Sequence, residues 1–215
     1  MSRPEPFFRE AGSGPAVVCT HSNASTSWRD LIVPGMDNIR LALPEDIPAC
    51  VVLRGRTREN AIPAEHLAAM GITVESWSDD VRSGVLTGFV CTEDRTIVGY
   101  CFGDTTSGEV VVLALLPTHE GRGIGRRLLS RVGAHLAEAG HRRLFLGCAA
   151  DPATRSFGFY RHLGWVSTGT LDPAGDEILE LFTPSAEDPA NPKEHLDLSY
   201  DTHPIRASAG NKYEL

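Results

Sequence analysis

Val110-Val-Val-Leu-Ala-Leu-Leu-Pro-Thr-His-Glu-Gly-Arg-Gly-Ile-Gly-Arg126 decides how the rest of the chain is read. The unbroken apolar run from Val110 to Leu116 predicts a strand buried on both faces. Pro117 ends it. Glycines at 121, 123 and 125 then open directly onto a helix. Its apolar residues Ile124, Leu128, Leu129, Val132 and Leu136 fall on one stripe, and Gly140 stops it. The first amides of such a helix have no helical acceptor and stand at the positive end of the helix dipole. Glycines let a ligand reach that backbone, so the turn is suited to a phosphate. Arg122, Arg126 and Arg127 add positive charge. Neither common nucleotide motif fits. No Lys-Ser/Thr pair follows Gly125, and Gly121-x-Gly123-x-Gly125 lacks the wider dinucleotide spacing.

The neighbouring segments alternate between strand-like and helix-like patterns. A short strand runs from Asn38 to Leu43, and Glu45 and Asp46 suit the first turn of a helix. Pro63 to Met70 reads as a helix that stops at Gly71. Thr73 caps another through about Arg82. Val85–Thr92 and Thr96–Phe102 flank Glu93-Asp94-Arg95 and predict a hairpin. Beyond the glycine turn come a strand over Leu144–Cys148 and a helix from Asp151-Pro152 to about Leu163. Two closing strands follow, Trp165–Thr170 and Glu177–Phe182. The expected architecture is an α/β domain over residues 37–182, a mixed sheet with helices on both faces.

Composition narrows the function classes. The chain has 215 residues, a net charge of −8 and 41% hydrophobic residues. That excludes a disordered, collagenous or disulfide-dense protein, and net acidity disfavours nucleic acid or an anionic membrane as partner. No apolar run approaches the ~20 residues of a membrane helix. Cys19, Cys50, Cys91, Cys101 and Cys148 show no metal-ligand spacing, so no metal is expected. Their odd, scattered placement suits a reduced, cytoplasmic chain. The N-terminal segment has no apolar core of a secretory signal.

Two segments carry a family resemblance. Leu113-Ala-Leu-Leu-Pro117 with Gly123-Ile-Gly125 resembles motif A of the GNAT superfamily of N-acetyltransferases. Thr154-Arg-Ser-Phe-Gly-Phe-Tyr-Arg-His-Leu-Gly-Trp165 resembles its motif B, in the right order and spacing. The resemblance covers about residues 38–182. It implies the GNAT fold, a mostly antiparallel central sheet with a splayed parallel pair. It also implies acetyl-coenzyme A as co-substrate, with the pyrophosphate on the amides from Gly121 through Arg122, Gly123, Ile124 and Gly125 to Arg126. The pantetheine arm would run along the backbone of Leu113, Ala114 and Leu115. The Leu115 amide would polarise the thioester carbonyl.

The implied reaction is direct acyl transfer from sulfur to an amine of a small molecule or peptide. Tyr160 stands at the family position that supplies the acid for the departing thiolate. Glu109, opening the central strand, is the candidate general base, with Asp104 and His119 as rivals. Cys148 reads as a small core residue rather than an acyl carrier. Trp77, Phe89, Tyr100 and Phe102 read as core. Glu75, Asp79 and Asp80 suit either a solvated helix face or attraction of a cationic amine. The chain departs from the family twice. Glu120 replaces Gln or Arg and is expected to point away from the phosphates, leaving Arg122 or Arg126 to dominate. Ala153 replaces an Asn, so a coenzyme hydrogen bond is expected to be either lost or taken over by Arg155. These departures motivate the rival reading, a non-catalytic acyl-coenzyme A-binding or sensor module. A homodimer is a family expectation.

The ends read as extensions. Residues 8–33 weakly resemble the start of an α/β-hydrolase, but the chain has no G-x-S-x-G elbow to supply a nucleophile. Residues 183–215 show no strand or helix period and read as a mobile tail.

Overall fold

The computed structural model describes residues 38–183. The hydrolase-like stretch and the tail beyond Thr183 lie outside them. The chain begins with strand β1 (Ile39–Leu41), and helices α1 (Ile47–Arg54), α2 (Ala64–Ala69) and α3 (Val74–Ser83) follow. A hairpin of β2 (Leu86–Glu93) and β3 (Thr96–Asp104) leads to β4 (Val110–Leu115) and α4 (Ile124–Glu138). The chain then forms β5 (Arg143–Cys148), α5 (Arg155–His162), β6 (Val166–Leu171) and β7 (Glu177–Phe182).

Local chemistry explains several of these boundaries. Thr73 accepts a hydrogen bond from the Ser76 amide at 3.1 Å, and Ser76 Oγ accepts one from the Thr73 amide at 3.0 Å. This reciprocal cap starts α3. The hairpin turn places Asp94 at φ 48° and Arg95 at φ 65°. Two left-handed residues in succession match the twist of the flanking strands, even without glycine. Asp46 has a different task from the one expected. The segment Pro44–Asp46 is a single 3₁₀ turn, and α1 begins after it. The Asp46 carboxylate takes both arms of the Arg40 guanidinium, at 2.6 and 2.7 Å, and the Leu43 amide at 2.8 Å. The helix expected from Asp151-Pro152 begins later, at Arg155. Asp151 instead folds the preceding turn, with Oδ1 accepting from the Ala153 amide at 2.8 Å and the carbonyl from the Thr154 amide at 3.0 Å.

The strands form two antiparallel groups, β1-β2-β3-β4 and β5-β7-β6. They meet at a parallel bridge between Glu109 and Phe145, where the Phe145 amide donates to the Gly108 carbonyl at 3.3 Å. Beyond that point β4 and β5 share no ladder among the described residues, and a cleft opens between their C-terminal ends. This splay corrects the reading of β4 as buried on both faces. Val111, Val112, Leu113 and Leu115 are half-buried because one edge of their strand faces the cleft.

The core lies on both sides of the sheets. Leu128, Val132 and Leu136 of α4 pack with Leu144, Leu146 and Leu179 on one side. Ile47, Cys50 and Trp77 pack against Val90, Tyr100 and Phe102 on the other. Burial of one such Leu or Phe side chain stabilises the fold by about 1.5–3 kcal/mol. Gly88 makes room for the Phe102 ring, since a Cβ there would lie 2.1 Å from Phe102 Cδ1. Trp77, Tyr100 and Phe102 are buried, so these aromatics serve the core.

Candidate functional site

The cleft between β4 and β5 continues into a groove of about 780 Å³ that ends at the start of α4. This is within the range of small-molecule sites. One wall is β4, with Leu113, Ala114 and Leu115. The Leu116 amide donates to the Val98 carbonyl of β3 at 2.9 Å. Antiparallel strands alternate their bonding direction. The amides of Leu115 and Leu113 therefore turn toward the open edge, and that of Ala114 turns toward β3. Ala114 thus lines the groove without an amide to offer it.

At the other end stand Gly121, Gly123, Ile124, Gly125 and Arg126. Gly121 and Gly123 adopt φ of 75° and 74°, a left-handed backbone that glycine permits. No side chain caps α4, and its Arg127 amide is the one that reaches back to the Gly123 carbonyl, at 3.1 Å. The amides before it stand at the groove with the positive end of the helix dipole. A Cβ on Gly125 would touch Phe159 and Leu113 at 3.6 and 3.7 Å, so helix and wall meet closely there. Arg126 lines the groove and has no hydrogen-bond or ion-pair partner among the described residues. Uncapped amides, an uncommitted cation and a long apolar wall suit an extended, phosphate-bearing molecule.

One charge expectation is overturned here, and another is narrowed to Arg126. Glu120 does not point away. It lines the groove and is held by Arg58 Nε at 2.9 Å and by Arg155 NH1. Two guanidiniums offset its charge, which is why an acid is tolerated in this place. Arg122 does not line the groove. It faces Glu93, with NH1 3.3 Å from Oε1. Arg155 does line it, bound to Glu120 through its side chain, while its amide donates to Glu59 Oε2 at 3.1 Å. The carboxylate of Glu59 thus reaches the N-terminus of α5 from the loop after α1.

Of the candidate catalytic residues, Leu115 lines the groove, while Tyr160, Glu109, Asp104 and His119 are not among the lining residues. Tyr160, on α5, is buried beside Phe159 and Trp165, with ring centroids 5.1 and 6.1 Å away. Burial pushes its phenol far above the ordinary tyrosine value, Cys101 and Cys148 push the same way, and Arg54 opposes them. The phenol is therefore fully protonated at neutral pH, the form an acid requires. Glu109 lies at the closed end of the splay, beside the Phe145 bridge, and does not line the groove. Asp104 is engaged by the Thr106 amide at 2.7 Å and the Thr106 hydroxyl at 2.6 Å. His119 Nε2 lies 2.5 Å from Glu93 Oε2. Cys148 lines the groove as a buried thiol whose pKa burial raises, which suits a core residue rather than a nucleophile. Glu75, Asp79 and Asp80 are not among the lining residues, and Asp79 pairs with Arg82.

Several groove residues had no motif to mark them. Arg54 comes from the end of α1, Arg58 and Glu59 from the α1–α2 connection, and Asp176 from the turn between β6 and β7. Arg54 ends α1, and its NH1 donates to the Asn60 carbonyl, while its own carbonyl accepts from the Ile62 amide at 3.2 Å and the Thr57 hydroxyl at 3.3 Å. Burial lowers its pKa, while Tyr100 and Tyr160 counteract that. The available signal was the polar run Arg54-Gly-Arg-Thr-Arg-Glu-Asn60, unusually rich in arginine for an acidic protein. Among the described residues no cluster of His, Cys, Asp or Glu could hold a metal ion, and no helix is long and apolar enough to cross a membrane.

Comparison with known proteins agrees with the fold. Solved structures of similar fold include the PaiA N-acetyltransferase of Thermoplasma acidophilum in complex with coenzyme A. It is 19% identical with a TM-score of 0.56, over 67% of this chain and 98% of that one. The yncA structure of Salmonella typhimurium, with its cofactor acetyl-CoA, is 19% identical with a TM-score of 0.54, over 71% and 96% of the two chains. A curated relative from Azospirillum brasilense, IAA acetyltransferase, is 36% identical over 101 residues. The match spans 47% of this chain and 61% of the relative's length. The hydrolase resemblance of residues 8–33 finds no support in these likenesses, which are to acetyltransferases. Residues 56–165, from the arginine-rich loop through both glycine-bearing motifs, match the family model described as Acetyltransferase (GNAT) family, and the chain belongs to that family.

Proposed function

We propose that the protein transfers acetyl from acetyl-coenzyme A directly to an amine of a small molecule or peptide. The observation that carries this reading is the groove itself. It joins the uncapped start of α4 to an open strand edge with two outward amides, and its wall includes Phe159, the neighbour of the buried Tyr160 on α5. The residues present fit the coenzyme. The amides from Gly121 to Arg126 and the Arg126 guanidinium would hold its phosphates, with Arg155 and Arg58 nearby. The edge of β4 at Leu113 and Leu115 would hold the pantetheine arm. The coenzyme supplies an activated acetyl thioester. The Leu115 amide, aimed at the open edge, would donate to its carbonyl oxygen. Tyr160 would deliver a proton to the departing sulfur. No covalent bond to the protein is required. The four free cysteines among the described residues, all buried, suit a cytoplasmic setting. The name of the Azospirillum brasilense relative does not fix the acceptor here, since the match spans only part of that protein.

Tyr160→Phe tests the reading. Thiol release over a panel of amines should fall about 10²–10⁴-fold, the usual weight of a general acid. Coenzyme affinity by calorimetry should be unchanged. Coenzyme binding by the native chain without thiol release for any amine would favour the sensor reading instead, and no binding at all would refute both.

A further inference from the structure

We propose that Asp176, in the turn between β6 and β7, is the group that receives the acceptor's amine: its carboxylate binds the ammonium form and accepts the proton that must leave before the nitrogen can attack. This rests on the acetyl-transfer reading above. Asp176 lines the groove on the side opposite β4. It lies against Gly147 near the free end of β5, where a Cβ would stand 3.6 Å from Asp176 Cβ and 3.9 Å from its Oδ2. The turn that carries it is held by Asp172. The Asp176 amide donates to Asp172 Oδ1 at 2.8 Å, the Asp172 amide donates to the Asp176 carbonyl at 2.8 Å, and the Gly175 amide donates to the Asp172 carbonyl at 3.1 Å. These bonds use the backbone of Asp176 and leave its carboxylate without a hydrogen-bond or ion-pair partner among the described residues.

The other carboxylates of the groove are committed. Glu120 holds two arginines, and Glu59 holds the Arg155 amide. Asp176 therefore has lone pairs to offer a cationic amine. The groups that face it are Asp172 from its own turn and Cys148 from β5, and Cys148 in turn faces Arg161 of α5, which Glu177 engages. Burial, and then the charge of Asp172, raise its pKa above the ordinary aspartate value. That makes it a stronger base than a solvated aspartate. Glu109, at the closed end of the splay, has no such access.

The proton and electron accounts balance. The ammonium gives one proton to Asp176. The nitrogen lone pair forms the N–C bond at the thioester carbonyl carbon, and the C–S bond breaks with its electron pair on sulfur. Tyr160 protonates the sulfur and recovers a proton from the same nitrogen. Asp176 returns its proton to solvent. The net change is ammonium plus thioester to amide, thiol and one proton.

The test compares Asp176→Asn with Glu109→Gln in the full chain. The acceptors are 1,4-diaminobutane, an α-amino amide and a tripeptide with a free N-terminus. Asp176→Asn should lose about 10²-fold or more in kcat/KM at pH 7 and lose the carboxylate limb of its pH profile. Its coenzyme A affinity should stay within about twofold. Glu109→Gln should keep both rate and limb. Independently of turnover, the Asp176 carboxyl should titrate at lower pH when one of the three amines is added alone, read by NMR of ¹³C-labelled aspartate against the Asp176→Asn spectrum. Native rate and pH limb in Asp176→Asn would overturn the assignment, as would a titration insensitive to all three amines. Native coenzyme binding without thiol release would count against acetyl transfer, and the titration would then decide the amine site separately.

Discussion

Glu120→Gln should tighten coenzyme binding. Glu120 stands in the groove beside the proposed phosphate site, bound to Arg58 and Arg155. Both arginines are about half exposed at their side chains, 52% and 55%, so each pair contributes about 0.2–1 kcal/mol. A pyrophosphate arriving here meets a fixed negative charge and two cations already engaged by it. At roughly 8 Å and an effective dielectric between about 20 and 40, one like-charge contact costs about 1–2 kcal/mol. Glutamine removes that repulsion and releases both guanidiniums for the phosphates. The expected gain is about 1–2 kcal/mol, a five- to thirtyfold lower Kd. Calorimetry with coenzyme A in about 50 mM salt reads this directly. The gain should shrink in about 0.5 M salt, where charges farther apart than ~4–5 Å are screened. An unchanged Kd would refute the reasoning, because it would place the phosphates out of reach of Glu120. Weaker binding by the variant would refute it differently, by making the carboxylate a brace that holds Arg58 and Arg155 in place for the ligand.

Two further perturbations test the fold that positions the groove. Gly88→Ala should lower stability by about 1–3 kcal/mol in thermal or denaturant unfolding, because its Cβ would lie 2.1 Å from Phe102 Cδ1 in a filled core. A melting temperature equal to the native one would show that both the ring and the Cys101 carbonyl, 2.6 Å from that Cβ, give way freely. Asp46→Asn should cost about 1–2 kcal/mol by breaking a bidentate pair. The Arg40 hydrogen bonds hold the Asp46 carboxyl below the ordinary aspartate value against the opposing effect of burial, with help from the Leu43 amide. A depressed folded-state pKa contributes stability above the unfolded value of about 4, and that contribution is lost as pH falls through the folded value. The native chain and the variant should therefore differ most at neutral pH and converge in acid. A pH-independent difference would count against the ion pair.

Elements with a local signal were legible in the sequence. Glu177–Phe182 forms the closing strand expected of it, and Thr73 and Gly140 bound their helices as their chemistry requires. The glycine turn before α4 was legible too, because left-handed backbone and uncapped amides are properties of a few adjacent residues. What misled was charge. Arg122 and Glu120 are two residues apart, and sequence alone suggested that the arginine would serve the groove and the acid would leave it. Each is instead placed by partners distant along the chain, Glu93 for Arg122, and Arg58 with Arg155 for Glu120. Asp151 and Asp46 likewise took up bonds that shifted the starts of α5 and α1.

The sequence by itself determined the family, the order of strands and helices, and the turn suited to phosphate, since each rests on short-range patterns of apolar period, glycine and caps. Only the tertiary structure decided where β4 and β5 part, and with it which edge of β4 is open. It also brought Arg54 from the end of α1, Arg58 and Glu59 from the loop after it and Asp176 from another loop to the same groove. No short-range pattern marks such residues. They meet because packing two half-sheets against five helices leaves one cleft, and the loops that border it are selected by topology rather than by their own sequence.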